Sequence, residues 1–203
     1  YKSYQDIENP PYIYGLGDKT GAINRWGKTF RNAPIDALGY DSQLTDPLYK
    51  DIPFFIHLDK KTNKAHGIFF DNFHKKSFDF GRERKPGLYY SMSAEAGDAN
   101  YYFFNGPSIK AVVQNYLKLT GMPAKMPDYA FGYLASGMSY LENYGDQEKQ
   151  DQRVLNTLKR FKKEGLAASA FHMSSGYILN EQNERHQFIW NSKKFPEPKA
   201  FSK

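Results

Sequence analysis

Short segments rich in apolar and aromatic residues, separated by polar residues, recur through the first hundred residues. They occupy residues 54–59, 66–70, 77–80, 88–93 and 101–104, and all are typical of β-strands. Residues 77–80 also alternate between polar and apolar positions, as in a half-buried strand whose successive side chains point to opposite faces of a sheet. Asn63 lies between the first two segments and predicts a hairpin turn there. Several short strands at this spacing predict an antiparallel β-sandwich over residues 1–105.

The pattern changes to a helical one after residue 106. Apolar residues then recur at three- and four-residue spacing on one face, namely Ile109, Val112, Val113, Tyr116 and Leu117. Pro107 is expected to open this helix, Gly121 to end it, and Pro123 to prevent its continuation. Residues 106–127 are therefore predicted to be a linking helix and a linker.

Residues 128–203 show a strand, a helix and a second strand. The strands are expected at 129–134 and at 166–171, the second being apolar on both faces. Between them, Val154, Leu155, Leu158 and Phe161 mark an amphipathic helix that Gly165 closes. A strand, a helix and a strand in this order predict a βαβ unit with parallel strands.

The segment 17–51 is long, and we expect it to be an irregular loop with a function. It contains the aspartates Asp18, Asp36, Asp41, Asp46 and Asp51. Carboxylates accept several hydrogen bonds and so suit sugar hydroxyls, yet aspartate in a loop more often caps a turn. The residues alone leave both roles open.

Composition excludes several classes of site. The chain has no cysteine, which rules out disulfides, thiolate catalysis and cysteine-bound zinc, and is compatible with the cytoplasmic location that we expect. The formal net charge is +6, but no nucleic-acid motif accompanies the lysine clusters, so we expect no nucleic-acid partner. We also expect no membrane span and no metal, because long apolar runs and metal-ligand spacings are missing.

Six runs carry a family resemblance. They are Tyr-Gly-Leu-Gly-Asp at 14–18, Ile-Asp-Ala-Leu-Gly-Tyr-Asp at 35–41, Asp-Pro-Leu-Tyr leading to Ile-Pro-Phe at 46–54, Tyr-x-x-Leu-Thr-Gly-x-Pro at 116–123, Phe-Gly-Tyr at 131–133 and Asn-x-x-x-Phe-Pro at 191–196. Together and in this order they resemble glycoside hydrolase family 31, the α-glucosidase family.

The resemblance implies a galactose-mutarotase-like β-sandwich followed by the start of a (β/α)₈ barrel. It implies a retaining, two-carboxylate glycosidase that acts on an α-linked glucoside or oligosaccharide and needs no cofactor. Asp36 corresponds to the family's substrate-contacting loop aspartate. A barrel takes about 250 residues, so we expect the nucleophile and the acid/base beyond residue 203. The remaining part of the barrel is then a required partner, and this chain alone is expected to be inactive.

One run departs from the family pattern. Many members carry Asp-x-Asp-Tyr after the second barrel strand, whereas residues 171–177 here contain no carboxylate. His172, Ser174 and Ser175 are candidates to line the sugar pocket instead, but the serines could equally serve only to turn the chain. The departure keeps an α-glucosyl transferase open as an alternative. A non-catalytic carbohydrate-binding or interaction module is the other alternative, because the chain holds only the recognition half that the resemblance implies.

Overall fold

The computed structural model describes residues 1–137, 149–180, 182 and 184–202. The chain divides into two compact units, Tyr1–Met122 and Pro123–Lys203. The linking helix therefore belongs to the first unit. Within the described residues, no helix is both long and apolar enough to cross a membrane.

Two antiparallel four-stranded sheets form the first unit. Its strands are β1 (Lys2–Asp6), β2 (Tyr12–Gly17), β3 (Thr29–Asn32), β4 (Asp51–Leu58), β5 (Ala65–Phe70), β6 (Lys76–Asp79), β7 (Tyr89–Ala94) and β8 (Tyr101–Gly106). One sheet has the order β1-β7-β6-β3, and the other has the order β2-β4-β5-β8. The predicted β-sandwich is confirmed.

An aromatic core joins the inner faces of the two sheets. Phe55 of β4 is fully buried and meets rings of the opposite sheet edge-on, with centroid distances of 6.0 Å to Phe78 and 5.4 Å to Tyr90. Phe80, which follows β6, lies 5.1 Å from the same ring. Each such ring pair adds roughly 0.5–1.5 kcal/mol beyond the burial of its apolar area.

The outer face of the second sheet is covered by helix α1 (Ile109–Thr120). Ser108 is the N-cap, since its hydroxyl accepts a hydrogen bond from the Ala111 amide, and Pro107 lies one residue before that cap. Val112 is fully buried against the sheet, and the Tyr116 ring stacks on Phe54 with centroids 4.0 Å apart. The apolar face predicted from the sequence is thus the face that packs.

The prediction for the β4–β5 hairpin is confirmed, and the prediction for 17–51 is partly wrong. Asn63 has a φ of 56°, the left-handed backbone that a tight turn needs. Within 17–51, however, strand β3 pairs with β6. This strand has only four residues, with Phe30 buried and Arg31 exposed, so its alternation is too short to identify in the sequence.

The second unit contains a parallel pair, β9 (Tyr133–Ser136) and β10 (Ala168–His172), connected through α2 (Gln150–Lys163). The predicted parallel βαβ unit is confirmed. Helix α3 (Pro198–Phe201) follows, and its Phe201 ring packs against Trp190 and Phe195. Phe195 and Val154 are almost completely buried and form the centre of this unit's core.

Both strands of this pair begin later than predicted. The segment Asp128–Phe131 is a 3₁₀ turn, because the Ala130 amide bonds back to the Pro127 carbonyl at 2.9 Å. Before β10, the Leu166 amide bonds back to the Phe161 carbonyl of α2 at 2.8 Å, so Leu166 is engaged with the helix terminus and not with β9. Backbone hydrogen bonds at the ends of the helical turns, rather than side-chain pattern, set these boundaries.

Candidate functional site

The Tyr-Gly-Leu-Gly run forms a bulge at the end of β2. The pairing register of β2 with β4 shifts between Gly15 and Gly17, and all three residues from Gly15 to Gly17 have positive φ. A β-carbon on Gly15 would lie 2.4 Å from the Phe54 carbonyl oxygen, so only glycine fits there. The bulge directs Leu16 into the core, where it is fully buried, and carries the chain onward to Lys19.

The Lys19 ammonium is the centre of a buried ion network. Its side chain is 0% exposed, and its Nζ lies 3.1 Å from a carboxylate oxygen of Asp46 and 3.1 Å from one of Asp51. It also donates a hydrogen bond of 2.5 Å to the Arg31 carbonyl. Charge-assisted hydrogen bonds of this kind are stronger than neutral ones. Lys19 thereby ties together the ends of β3, the loop and β4.

The aspartates of the loop have different structural roles. Asp46 and Asp51 face Lys19, and the second oxygen of Asp46 also accepts the Arg31 amide at 2.5 Å. Asp41 caps a turn, since its carboxylate accepts the amides of Gln43 and Leu44 at 2.7 and 2.9 Å. These three carboxylates are structural, as aspartates in loops commonly are.

Asp36 lies outside this network and is exposed. The Ile35 amide donates to the Leu48 carbonyl at 3.3 Å, which brings Asp36 beside Tyr49. Partial burial, and then the neighbouring Asp36 carboxylate, raise the pKa of the Tyr49 hydroxyl. The surrounding loop surface is apolar and exposed, with Ile35, Leu38, Tyr40, Leu44 and Tyr49. We call residues 33–50 the Asp36 loop.

The other predicted residues lie together in the second unit, at the carboxyl ends of its strands. His172 is the last residue of β10 and pairs with Ser136 of β9. Ser174 precedes the 3₁₀ turn Ser175–Ile178, but its hydroxyl makes no cap hydrogen bond to that turn. The Ser175 hydroxyl accepts a hydrogen bond of 2.8 Å from Nε of Arg185. In α/β barrels this end of the strands carries the site.

The Asn-x-x-x-Phe-Pro run fixes the segment that follows these serines. Nδ2 of Asn191 donates to the Leu179 carbonyl at 2.5 Å, and its Oδ1 accepts the amides of Lys193 and Lys194. The buried Lys194 ammonium donates to the Gly176 carbonyl at 3.3 Å. Together with the buried Phe195, these bonds hold residues 174–179 in place.

A cavity of about 320 Å³ opens beside Trp190, next to the same segment. Asn180 and His186 line it, and both contact Glu184, whose Oε2 lies 3.0 Å from Nδ2 of Asn180. Hydrogen bonds from Asn180 and then from His186 lower the pKa of Glu184. Across the described part of the chain, no group of three or more His, Asp or Glu side chains could hold a metal ion.

Sequence reasoning missed Lys19, Tyr49, Arg185 and Lys194 as parts of these sites. A buried lysine looks like a surface lysine in sequence, because its partners lie 27 and 32 positions further along the chain. The signal that was available is local: Lys19 directly follows the Tyr-Gly-Leu-Gly run, and Tyr49 belongs to the Asp-Pro-Leu-Tyr run.

Two family models match the chain. Residues 2–79 match the N-terminal galactose mutarotase-like domain of glycosyl hydrolase 31. Residues 123–203 match the TIM-barrel domain of glycosyl hydrolases family 31. The two matches agree with the sandwich and with the parallel βαβ unit.

Related proteins extend these matches. Alpha-glucosidase 2 of Bacillus thermoamyloliquefaciens is 31% identical over 95% of this chain and 22% of its own length. An alpha-glucosidase of Saccharolobus solfataricus is 32% identical over 96% of this chain and 26% of its own length. This chain therefore spans about a quarter of the length of these relatives.

A solved structure gives the same result for the fold. A family 31 dextranase of Flavobacterium johnsoniae, complexed with glucose, superposes with a TM-score of 0.79 and 30% identity. The superposition covers 98% of this chain and 22% of that one. A second structure of that dextranase, a mutant, is complexed with isomaltotriose.

Proposed function

The chain belongs to glycoside hydrolase family 31, and from this premise we propose that it forms the sugar-recognition part of a glycosidase that acts on α-linked glucosides. The observation that carries the proposal is the exposed Asp36 carboxylate. Lys19 contacts Asp46, Asp51 and Arg31, whereas the exposed Asp36 carboxylate accepts a hydrogen bond from the Tyr49 hydroxyl and presents its remaining acceptor sites to solvent. An ionised carboxylate accepts hydrogen bonds from two neighbouring sugar hydroxyls.

The surface around Asp36 suits a sugar as well. The exposed rings of Tyr40 and Tyr49 provide apolar faces on which the C–H face of a pyranose can pack. Ligand sites commonly combine apolar contact area with a few polar groups that set orientation. We infer that Asp36 orients the sugar and that the tyrosines supply the contact area.

Glycosidic bond cleavage with retention uses two carboxyl groups about 5–5.5 Å apart, a nucleophile and an acid/base. We propose that the remaining part of the barrel supplies both groups and that this chain binds and orients the substrate. The chain alone is then expected to bind sugar without hydrolysing it. Turnover of an aryl α-glucoside by purified 1–203 would contradict this division of roles.

For the second unit we propose that His172, Ser174 and Ser175 line the sugar pocket. The support is that the Ser174 hydroxyl makes no cap bond, so the turn does not depend on it. Arg185 holds the Ser175 hydroxyl in one orientation. Neutral hydroxyls bind a sugar less strongly than carboxylates do, so we expect the preferred glucoside linkage to differ from that of members with Asp-x-Asp-Tyr.

The test is a ¹H–¹⁵N NMR titration of the chain with isomaltotriose and, separately, with maltotriose. We expect saturable shifts of amides in the Asp36 loop. Asp36→Asn should weaken binding, since a lost charged hydrogen bond costs about 1.5–3 kcal/mol. Asp41→Asn is the matched control, because it removes a charge from the same loop while asparagine keeps the turn cap. Equal affinities of wild type and Asp36→Asn would refute the role of Asp36.

A further inference from the structure

We propose that Lys19 is a positioning residue, which holds the Asp36 loop in the conformation that presents Asp36 to the sugar. The inference rests on the proposed function for its consequence in binding. Its structural part, that Lys19 fixes this loop, stands on the contacts of Lys19 alone. The Lys19 side chain is completely buried, so Lys19 does not itself face a ligand at the surface.

The first step is the reach of the ammonium. It contacts three chain segments that are distant in sequence: the end of β3 through the Arg31 carbonyl, the loop through Asp46, and the start of β4 through Asp51. Asp36 lies between the first two of these attachment points. A loop is restricted most strongly when both of its flanks are tied to the same rigid group.

The second step is the charge around the ammonium. Two carboxylates face one lysine, and a buried excess of negative charge would be unfavourable by itself. Arg25 and Lys76 compensate for it: burial lowers the pKa of each, and the charges of Asp46 and Asp51 respectively oppose that lowering. Three cations therefore face two carboxylates, so the network holds no excess of negative charge.

The third step is the connection from Asp46 to Asp36. Asp46 also accepts the Arg31 amide, so β3 and the loop are joined at a second point. From there the chain reaches Leu48, whose carbonyl accepts the Ile35 amide, and Tyr49, which contacts Asp36. A shift of Asp46 would therefore move Leu48 and Tyr49, and with them the Asp36 carboxylate.

The experiment must separate positioning from plain stability. Lys19→Met alone removes the one cation that contacts both Asp46 and Asp51 directly, and this endangers folding. The double variant Lys19→Met/Asp51→Asn keeps the net charge, and it leaves Asp46 to accept the Arg31 amide and to face Arg25. The experiment compares four proteins, namely the wild-type chain, this double variant, Asp36→Asn and Asp41→Asn. It measures thermal melting, amide hydrogen exchange, Asp36–Tyr49 proton NOEs and isomaltotriose binding by titration.

We expect the double variant to keep the sandwich folded, with amides of β4 and β5 as protected as in the wild type. Amides of the Asp36 loop should exchange about tenfold faster or more, the Asp36–Tyr49 NOEs should disappear, and isomaltotriose should bind about tenfold more weakly, as with Asp36→Asn. A double variant with unchanged loop exchange and unchanged NOEs would overturn the proposal.

The two proposals fail in different ways. If Asp36→Asn binds isomaltotriose as well as the wild type, the proposed function fails. The amide exchange rates of the Asp36 loop and the Asp36–Tyr49 NOEs then still test whether Lys19 fixes the loop. If Asp36→Asn weakens binding but the double variant does not, the role of Lys19 fails alone. If the double variant does not fold, the single variant Asp51→Asn is used in its place. Amide exchange in the Asp36 loop that is no faster than in Asp41→Asn would then contradict the proposed role of Lys19.

Discussion

The rings of His57 and His66 stack on each other, with centroids 4.5 Å apart and planes inclined by 17°. They are direct partners on the neighbouring strands β4 and β5. Burial lowers the pKa of both imidazoles, and the neighbouring His57 lowers that of His66 further, to about 4. Phe103 of β8 stacks on the other side of His66. Both rings are therefore neutral at pH 7 in the folded sandwich.

The first prediction concerns the stability of the sandwich at acidic pH. Because the folded pKa of His66 lies below its ordinary value of 6.5, the unfolded chain binds more protons between pH 6.5 and about 4. The free energy of unfolding should hence fall through this window on acidification, by on the order of 2–3 kcal/mol. Urea denaturation from pH 7.5 to 3.5 measures it. The double variant His57→Phe/His66→Phe should lose this dependence, and a retained slope would show that other groups cause it.

The second prediction concerns the buried nitrogens of His57. Among the described residues, no group outside His57 itself hydrogen-bonds Nδ1 or Nε2 of this ring. His57→Phe keeps an aromatic ring in the stack and removes two buried polar atoms that have no partner on another residue, so unfolding at pH 7.5 should become harder by about 1 kcal/mol. The exposed His186→Phe is the control and should change little. A loss of stability in His57→Phe would indicate a partner for one of the nitrogens.

The third prediction contrasts two lysines in ion pairs. Lys19→Met should destabilise the chain by up to about 3–5 kcal/mol, because it removes the buried cation that contacts both Asp46 and Asp51 directly. Lys2→Met removes the partner of Glu83 at the surface and should cost less than about 1 kcal/mol. Thermal and urea unfolding of the two variants at the same pH measure the difference. Equal losses would show that burial does not set the strength of these pairs.

The fourth prediction tests the packing of helix α1 on the sheet. A β-carbon on Gly67 would lie 2.6 Å from Cγ1 of Val112 and 2.8 Å from the Phe54 ring. Gly67→Ala should therefore destabilise the sandwich by about 1–3 kcal/mol through overpacking. Adding Val112→Ala should recover part of this loss, since it removes the clashing methyl group. Strictly additive losses in the double variant, measured by denaturation, would contradict direct contact as the cause.

The sequence by itself determined the elements whose pattern is local. Short runs rich in apolar and aromatic residues identified β4 to β8 of the sandwich, whereas β1 to β3 were not identified as strands. Asn63 identified the hairpin between β4 and β5, because a tight turn needs left-handed backbone there. The apolar spacing of α1 and the strand-helix-strand order of the second unit were equally readable. The six family runs pointed to family 31 because their order, more than any single run, is specific.

Only the tertiary structure decided which aspartates of the 17–51 segment are held by the fold and which exposed one neither caps a turn nor contacts Lys19. Asp36, Asp41, Asp46 and Asp51 look alike in sequence, and their roles differ because Lys19 reaches Asp46 and Asp51 across the fold, whereas Asp41 caps its own turn. Long-range ion pairs depend on how the chain folds back on itself, and no local periodicity encodes this. Strand β3 could not be identified in the sequence for the same reason: its four residues form a strand because they pair with β6 and because Phe30 is buried, and both depend on the fold.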